Sequence, residues 1–234
     1  MDSRLKRQLL TCALAIAVFY PLLGTEVQCT PAEARPSMES LQAQIDALTA
    51  RVQELENPTP KKVFVTSQVF QGNFGGPDGA DAICNQAAAS ASLSGSYRAW
   101  LGSASGGPNQ RFRRSGPYAL LDGTVIAWSW DGVTDGTLLA PISVDEFGQV
   151  IPPASAQPGT EAGSVWTRVG IDGNELSQDF NGNDCEGWSR LISTHNVSDY
   201  GATGDIYSTA ASWTQAGYPG WPCTSQLHFY CFEQ

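Results

Sequence analysis

Cys223-Thr-Ser-Gln-Leu-His-Phe-Tyr-Cys231 is the stretch on which the reading of this sequence turns. Seven residues separate its two cysteines, and Leu227 to Phe232 reads as a strand. Two more cysteines, Cys84 and Cys185, lie far upstream, and none of the four belongs to a C-x-x-C pair. Wide spacing of this kind behind an export signal reads as a disulfide framework rather than a metal site. Four cysteines allow three pairings, and spacing does not choose among them.

The export signal is read from the N-terminus. Arg4, Lys6 and Arg7 precede an apolar run from Leu9 to Leu23 that Thr11 and Pro21 interrupt. A transmembrane helix needs about 20 apolar residues. Residues 1–34 therefore read as a secretion signal, with Ala32-Glu-Ala34 as the small-x-small cleavage site. An uncleaved membrane anchor is the alternative. Cleavage removes Cys12 and Cys29 and leaves the four framework cysteines. The expected location is secreted, extracellular or cell-surface, an oxidising compartment.

The formal net charge is −10. Binding to a phosphate backbone needs clustered Lys and Arg, so no nucleic-acid partner is expected. The sequence is low in Lys and rich in Gly, Ser, Ala and Trp, as a compact, loop-rich extracellular domain would be. About 170 residues are enough for one sizeable core.

Residues 35–57 read as a short coiled-coil neck. Met38, Ile45 and Val52 fall at the a positions of a heptad, and Leu41, Leu48 and Leu55 at d. β-branched residues at a with Leu at d favour parallel association, so a homo-oligomer through residues 38–55 is expected. Three heptads alone are marginal, and a lone amphipathic helix packed on the domain is the other reading. Pro58 and Pro60 end the helix and give a short linker over residues 58–62.

The domain then occupies residues 63–234, with its first strand read over Lys62 to Phe70. A glycine loop, Gly72 to Gly79, leads into an Ala-rich helix that Pro77-Asp78 opens, that carries Cys84 and that runs to Ala91. Ser96 to Leu101 reads as a strand. Tyr118-Ala-Leu-Leu-Asp-Gly-Thr-Val-Ile-Ala127 is the best hairpin signal, and its Asp122-Gly123 pair suits a type I′ turn. Val165 to Gly170 and the Trp188 region are further strands. The expected class is α+β.

Several of these stretches, taken in order, carry a likeness. Gly79-Ala-Asp-Ala-Ile-Cys84-Asn-Gln-Ala-Ala-Ala, Leu93-Ser-Gly-Ser-Tyr-Arg-Ala-Trp-Leu-Gly-Ser103, Ser164-Val-Trp166, Asp172-Gly-Asn174, Cys185-Glu-Gly-Trp188 and the Cys-x7-Cys ending resemble endostatin. Tyr118 to Ala127, Thr134-Asp-Gly136 and Pro141-Ile142 look closer still to a bacterial domain of unknown function in the same group. The resemblance covers roughly residues 61–234 and implies a C-type-lectin-like fold. It also implies nested bridges, Cys84 with Cys231 and Cys185 with Cys223. Bridges of those spans would contribute about 5 and about 4 kcal/mol. Collectins and the endostatin-bearing collagens similarly place an oligomerising segment before such a module. Linked modules gain avidity over single sites.

The family's own ligand motifs are not carried over. Calcium-dependent sugar binders have Glu-Pro-Asn or Gln-Pro-Asp where this chain has Gln157-Pro-Gly159. Endostatin's histidine-rich zinc site is missing, and of its arginine surface there remain Arg98, Arg111, Arg113 and Arg114. That cluster could grip an anionic glycan or simply be solvated. In Asp179-Phe-Asn181-Gly-Asn183-Asp184, oxygen-bearing side chains alternate as a hard cation such as Ca2+ requires. Asn and Asp also favour turns for local reasons. No other cofactor is expected.

Catalytic signals are few. His228 reads as a strand residue and His195 as a loop residue, and no G-x-S-x-G elbow, P-loop or H-E-x-x-H occurs. Of the tryptophans, Trp100, Trp128, Trp166 and Trp188 lie in apolar contexts and are expected in the core. Trp213, Tyr218 and Trp221, in the Gly- and Pro-rich final loop, are the candidates for an exposed stacking platform. The sequence leads to a non-enzymatic binding module that engages a glycan or a surface protein. A structural or assembly subunit of an envelope or extracellular matrix is the alternative. Asn196-Val-Ser198 is a sequon for hosts that glycosylate asparagine.

Overall fold

The computed structural model describes residues 36–56, 58–152, 161–177, 184–191 and 200–234, with the backbone alone for Glu54, Leu55, Glu161, Tyr218 and Pro219. The protein is mixed α+β with two disulfides. Helix α1 is Met38–Glu56. Ser37 caps it, its Oγ accepting the Ser40 N–H at 3.1 Å. Met38, Leu41, Ile45, Leu48 and Val52 are all exposed.

The domain is organised by β1 (Lys61–Val65) and β8 (Tyr230–Glu233), two of the three inner strands of a five-stranded sheet. Its order is β2 (Tyr97–Ala99), β8, β1, β3 (Tyr118–Leu120) and β4 (Val125–Ala127). β1 runs antiparallel to β8, with Val63 opposite Phe232 and Val65 opposite Tyr230, and parallel to β3. Both faces of this pair are covered. Val63, Val65, Tyr230 and Phe232 enter one core with Trp100, Trp130 and Trp213. Phe64 and Cys231 enter a second core with Trp166 and Trp188. The period of two along each strand thus serves two apolar layers, and each fully buried aromatic contributes about 1.5–3 kcal/mol.

Helix α2 (Gly76–Ser90) covers the second core. Its buried residues, Gly76, Ala80, Cys84 and Ala88, form an i, i+4 stripe of small side chains that lets the helix approach the sheet closely. Asp81 Oδ1 accepts the Ala99 N–H at 2.9 Å, and Asn85 exchanges two hydrogen bonds with the Tyr97 backbone. These side chains cap the free edge of β2. Cys84 is bonded to Cys231, tying α2 to a central strand, and Cys185 is bonded to Cys223. The nested pairing is the one the resemblance implied.

A second sheet has β6 (Tyr200–Asp205) between β5 (Ser164–Trp166) and β7 (Ala216–Pro222). Sequence reading placed no strand at β6 or β7. Three other expectations are corrected. β1 begins at Lys61, inside the expected linker. It ends at Val65, where Thr66 Oγ1 turns back to donate to the Gln68 carbonyl, and the chain rejoins the structure through the Phe70–Leu227 bridge. The 118–127 hairpin has a three-residue loop. Leu120 accepts from Gly123 and donates to Thr124, and Gly123 takes the left-handed conformation (φ 89°) alone, whereas a type I′ turn needs two such residues. The Trp188 region is not a strand but a tight turn, described below.

Among the described residues no helix is long and apolar enough to cross a membrane. Two buried intramolecular disulfides fit an oxidising environment.

Candidate functional site

Cys185, Glu186, Gly187 and Trp188 all have positive φ, at 50°, 53°, 72° and 61°, and form one left-handed turn. Arg168, at φ 53°, is a further left-handed residue. For residues with a side chain this conformation costs about 1–2 kcal/mol each and persists only where the surroundings enforce it. Here the enforcement is visible. Cys185 is held by Cys223, and Asp184 Oδ1 accepts the Gly187 N–H at 3.0 Å. The Trp188 ring stacks on Phe74 and meets Trp166 edge-on, while its Nε1–H donates to the Gly102 carbonyl at 2.9 Å.

Asp184 Oδ2 lies 3.1 Å from Arg168 Nη1, and both side chains are almost wholly buried. The two Asp184 oxygens serve a guanidinium and a backbone amide. Asp179, Asn181 and Asn183 lie outside the described residues, as does His195. Among the described residues no three His, Cys, Asp or Glu side chains gather as a metal set would.

The stacking platform is also redrawn. Trp213 is fully buried, its ring 4.9 Å from that of Trp100 and 5.7 Å from that of Tyr230. A 3-10 turn at Ala211–Trp213 swings the ring inward, which a Gly- and Pro-rich neighbourhood does not reveal. Trp221 is half-buried, with its Nε1–H donating to Ser164 Oγ at 2.9 Å. The Tyr218 side chain lies outside the description.

Trp128, expected in the core, is instead 69% exposed. β4 ends at Ala127, and Ser129 caps a single helical turn, its Oγ accepting the Gly132 N–H. That cap turns Trp130 inward, where its Nε1–H donates to Asn109 Oδ1 at 3.0 Å, and leaves Trp128 outside. Leu139 donates its N–H to the Ile126 carbonyl of β4 and is 62% exposed. The sequence signal missed here is the serine between two tryptophans, a helix cap that reverses which ring faces in.

The arginine cluster divides. Arg111 pairs with Asp81 at 2.5 Å and donates to the Ala99 and Leu101 carbonyls, so it is part of the frame. Arg98 donates to the Arg111 carbonyl. Arg113 and Arg114 are exposed. Burial, and next the Arg113 guanidinium, hold the Lys61 ammonium below its ordinary value.

Neither a family model nor a curated protein matches this chain.

His228 is a structural group. Its Nδ1–H donates to the Thr66 carbonyl at 2.6 Å, between β1 and the last strand. Burial lowers its pKa from 6.5, and this outweighs the Thr66, Gln68 and Ala162 carbonyls and the Glu146 carboxylate, which act the other way. Below pH 6.5 the unfolded chain takes up a proton that the folded chain refuses, so stability is expected to fall as pH drops through that point. The slope reaches at most about 1.4 kcal/mol per pH unit. His228→Gln should flatten the slope in urea unfolding followed from about pH 7 to 5. An unchanged slope would assign it to other groups.

Proposed function

We propose that the protein is a secreted or cell-surface, non-enzymatic binding module of C-type-lectin-like fold that engages a glycan or a surface protein. The observation that carries this reading is the exposure of Trp128. Five of the seven tryptophans are buried and Trp221 is half-buried, whereas Trp128 presents its ring to solvent. Tryptophan buries more area than most side chains when it meets a partner, and its face stacks on sugar rings or fills a protein pocket. The rigid base under it is the disulfide-bonded double core. Helix α1 supplies valency as a parallel coiled coil, which raises avidity without new contacts.

The test is capture on a glycan array and from a surface-protein extract by the oxidised protein and by Trp128→Ala. The variant is expected to keep its stability within about 0.5 kcal/mol, as exposed positions do, and to lose capture at least about tenfold. Blank arrays and extracts, or equal capture by the variant, would overturn the reading.

The exposed apolar seam of α1 favours a second reading, in which a structural subunit of an envelope or matrix uses the helix as its functional contact. Deleting residues 38–55 separates the two. Under the first reading single-site capture survives and only avidity is lost; under the second, function disappears.

A further inference from the structure

Beyond Val65 the chain turns across one face of α2 and leaves a surface pocket of about 90 Å3, with Gln68, Gln86 and Ser90 exposed at its rim and Glu146 buried. Gln68, Phe70, Ile83, Gln86, Ser90 and Glu146 line it. One wall is apolar, from Phe70 and Ile83. The Gln68 and Gln86 carboxamides and the Ser90 hydroxyl can each donate as well as accept, Ser90 already donating to the Ala87 carbonyl at 2.7 Å, whereas the Glu146 carboxylate only accepts. Glu146 is only 4% exposed. Its hydrogen bonds come from one residue: Oε2 accepts the Ser67 N–H at 2.7 Å and Oε1 the Ser67 hydroxyl at 2.6 Å.

Burying a carboxylate is costly unless a cation balances it. Among the described residues no cationic side chain forms an ion pair with Glu146. Lys61 and Lys62 begin β1, whereas the cavity lies past its other end. Arg111 pairs with Asp81, Arg168 with Asp184 and Arg190 with Glu186. His228 feels the Glu146 carboxylate, but burial outweighs that attraction and lowers its pKa, so it favours the neutral form there, with Nδ1 held by the Thr66 carbonyl.

We propose that this cavity is a binding site for a protonated primary amine carried on an alkyl chain. An ammonium has three donors and no acceptor, and the site offers Glu146 together with the Gln68 and Gln86 carboxamides and the Ser90 hydroxyl. Phe70 and Ile83 take the methylene stem, and an ammonium near an aromatic face gains a further attraction. A single water needs about 10–15 Å3 of such space, so the cavity accommodates several heavy atoms of a ligand. A site with one carboxylate is poor for Ca2+, which takes six to eight oxygens. The amine can belong to a partner protein's lysine or to a free alkylamine. The site is separate from Trp128 and does not depend on that reading.

The test is a titration of the oxidised full-length protein, followed through the backbone amide resonances of Ser67, Gln68 and Glu146. The probes are Nα-acetyl-lysine-N-methylamide, cadaverine and, as a neutral control, n-pentanol. Saturable shifts with an amine and none with pentanol are expected. Binding of the lysine derivative alone identifies a protein side chain as the source, and cadaverine binding at least as tight identifies a free amine. Glu146→Gln should weaken binding at least about tenfold, as loss of a charge-assisted bond does. Ala87 on α2 also lines the pocket; Ala87→Leu narrows it and leaves the carboxylate in place, so it should do the same and serves alone if Glu146→Gln does not fold. No saturable shift with either amine, equal shifts with pentanol, or wild-type affinity in a folded variant would overturn the proposal.

Discussion

Replacing Cys84 and Cys231 together by alanine is expected to lower the unfolding free energy by about 5 kcal/mol, the largest loss for any change in this domain. The bridge spans 147 residues, so its removal returns a long closed loop to the unfolded ensemble. Both cysteines are fully buried between α2 and β8, and the shorter alanines leave a void there. Small domains are stable by about 5–15 kcal/mol, so this variant stands at the edge of unfolding. Replacing Cys185 and Cys223 opens a loop of only 38 residues, for which the same argument gives about 4 kcal/mol. That loss should be smaller still, because the left-handed Cys185–Trp188 turn is then free to relax. Guanidinium unfolding followed by tryptophan fluorescence gives the two values. An equal or reversed order would mean that the second bridge does not hold the turn in its strained form.

Arg168→Leu is expected to cost about 3–5 kcal/mol, because it leaves the Asp184 carboxylate buried without its guanidinium. The pair is not worth that much by itself. Combining Arg168→Leu with Asp184→Asn removes both charges while the amide oxygen still accepts the Gly187 N–H. The double variant should therefore recover more than half of the loss, and a double-mutant cycle measures the coupling. A double variant as unstable as Arg168→Leu would show that the arginine acts through packing and its other contacts rather than through Asp184.

The sequence was most legible where local pattern and tertiary role agree. The Ala-rich stretch around Cys84 is a helix because small residues recur on the face that meets the sheet. The end of the Cys-x7-Cys segment alternates between two cores and forms β8. Legibility failed where a residue has a packing reason that composition disguises. Tyr200-Gly-Ala-Thr-Gly-Asp205 reads as loop, yet it is β6, the middle strand of its sheet. A Cβ at Gly201 would come within 2.5 Å of the Trp166 ring and 2.9 Å of the Trp188 ring, so glycine is there for the tryptophans and not for a turn.

The same blindness affected the site. Trp213 and Trp128 exchanged places because a 3-10 turn and a serine cap, not hydrophobicity, decide which way each ring points. The importance of Glu146 depends on three distant segments closing around one cavity, which no local window contains.

On the proposed function Trp128 is where a ligand docks, the one ring fully turned outward where five are buried and Trp221 is half-buried. Incorporating 5-fluorotryptophan gives one fluorine resonance for each of the seven indoles, and Trp128→Phe identifies the one in question. On titration with a glycan or protein recovered by capture, the Trp128 resonance should shift and saturate, while those of the buried Trp100, Trp166, Trp188 and Trp213 stay in place. A saturated complex in which the Trp128 resonance has not moved would contradict the account.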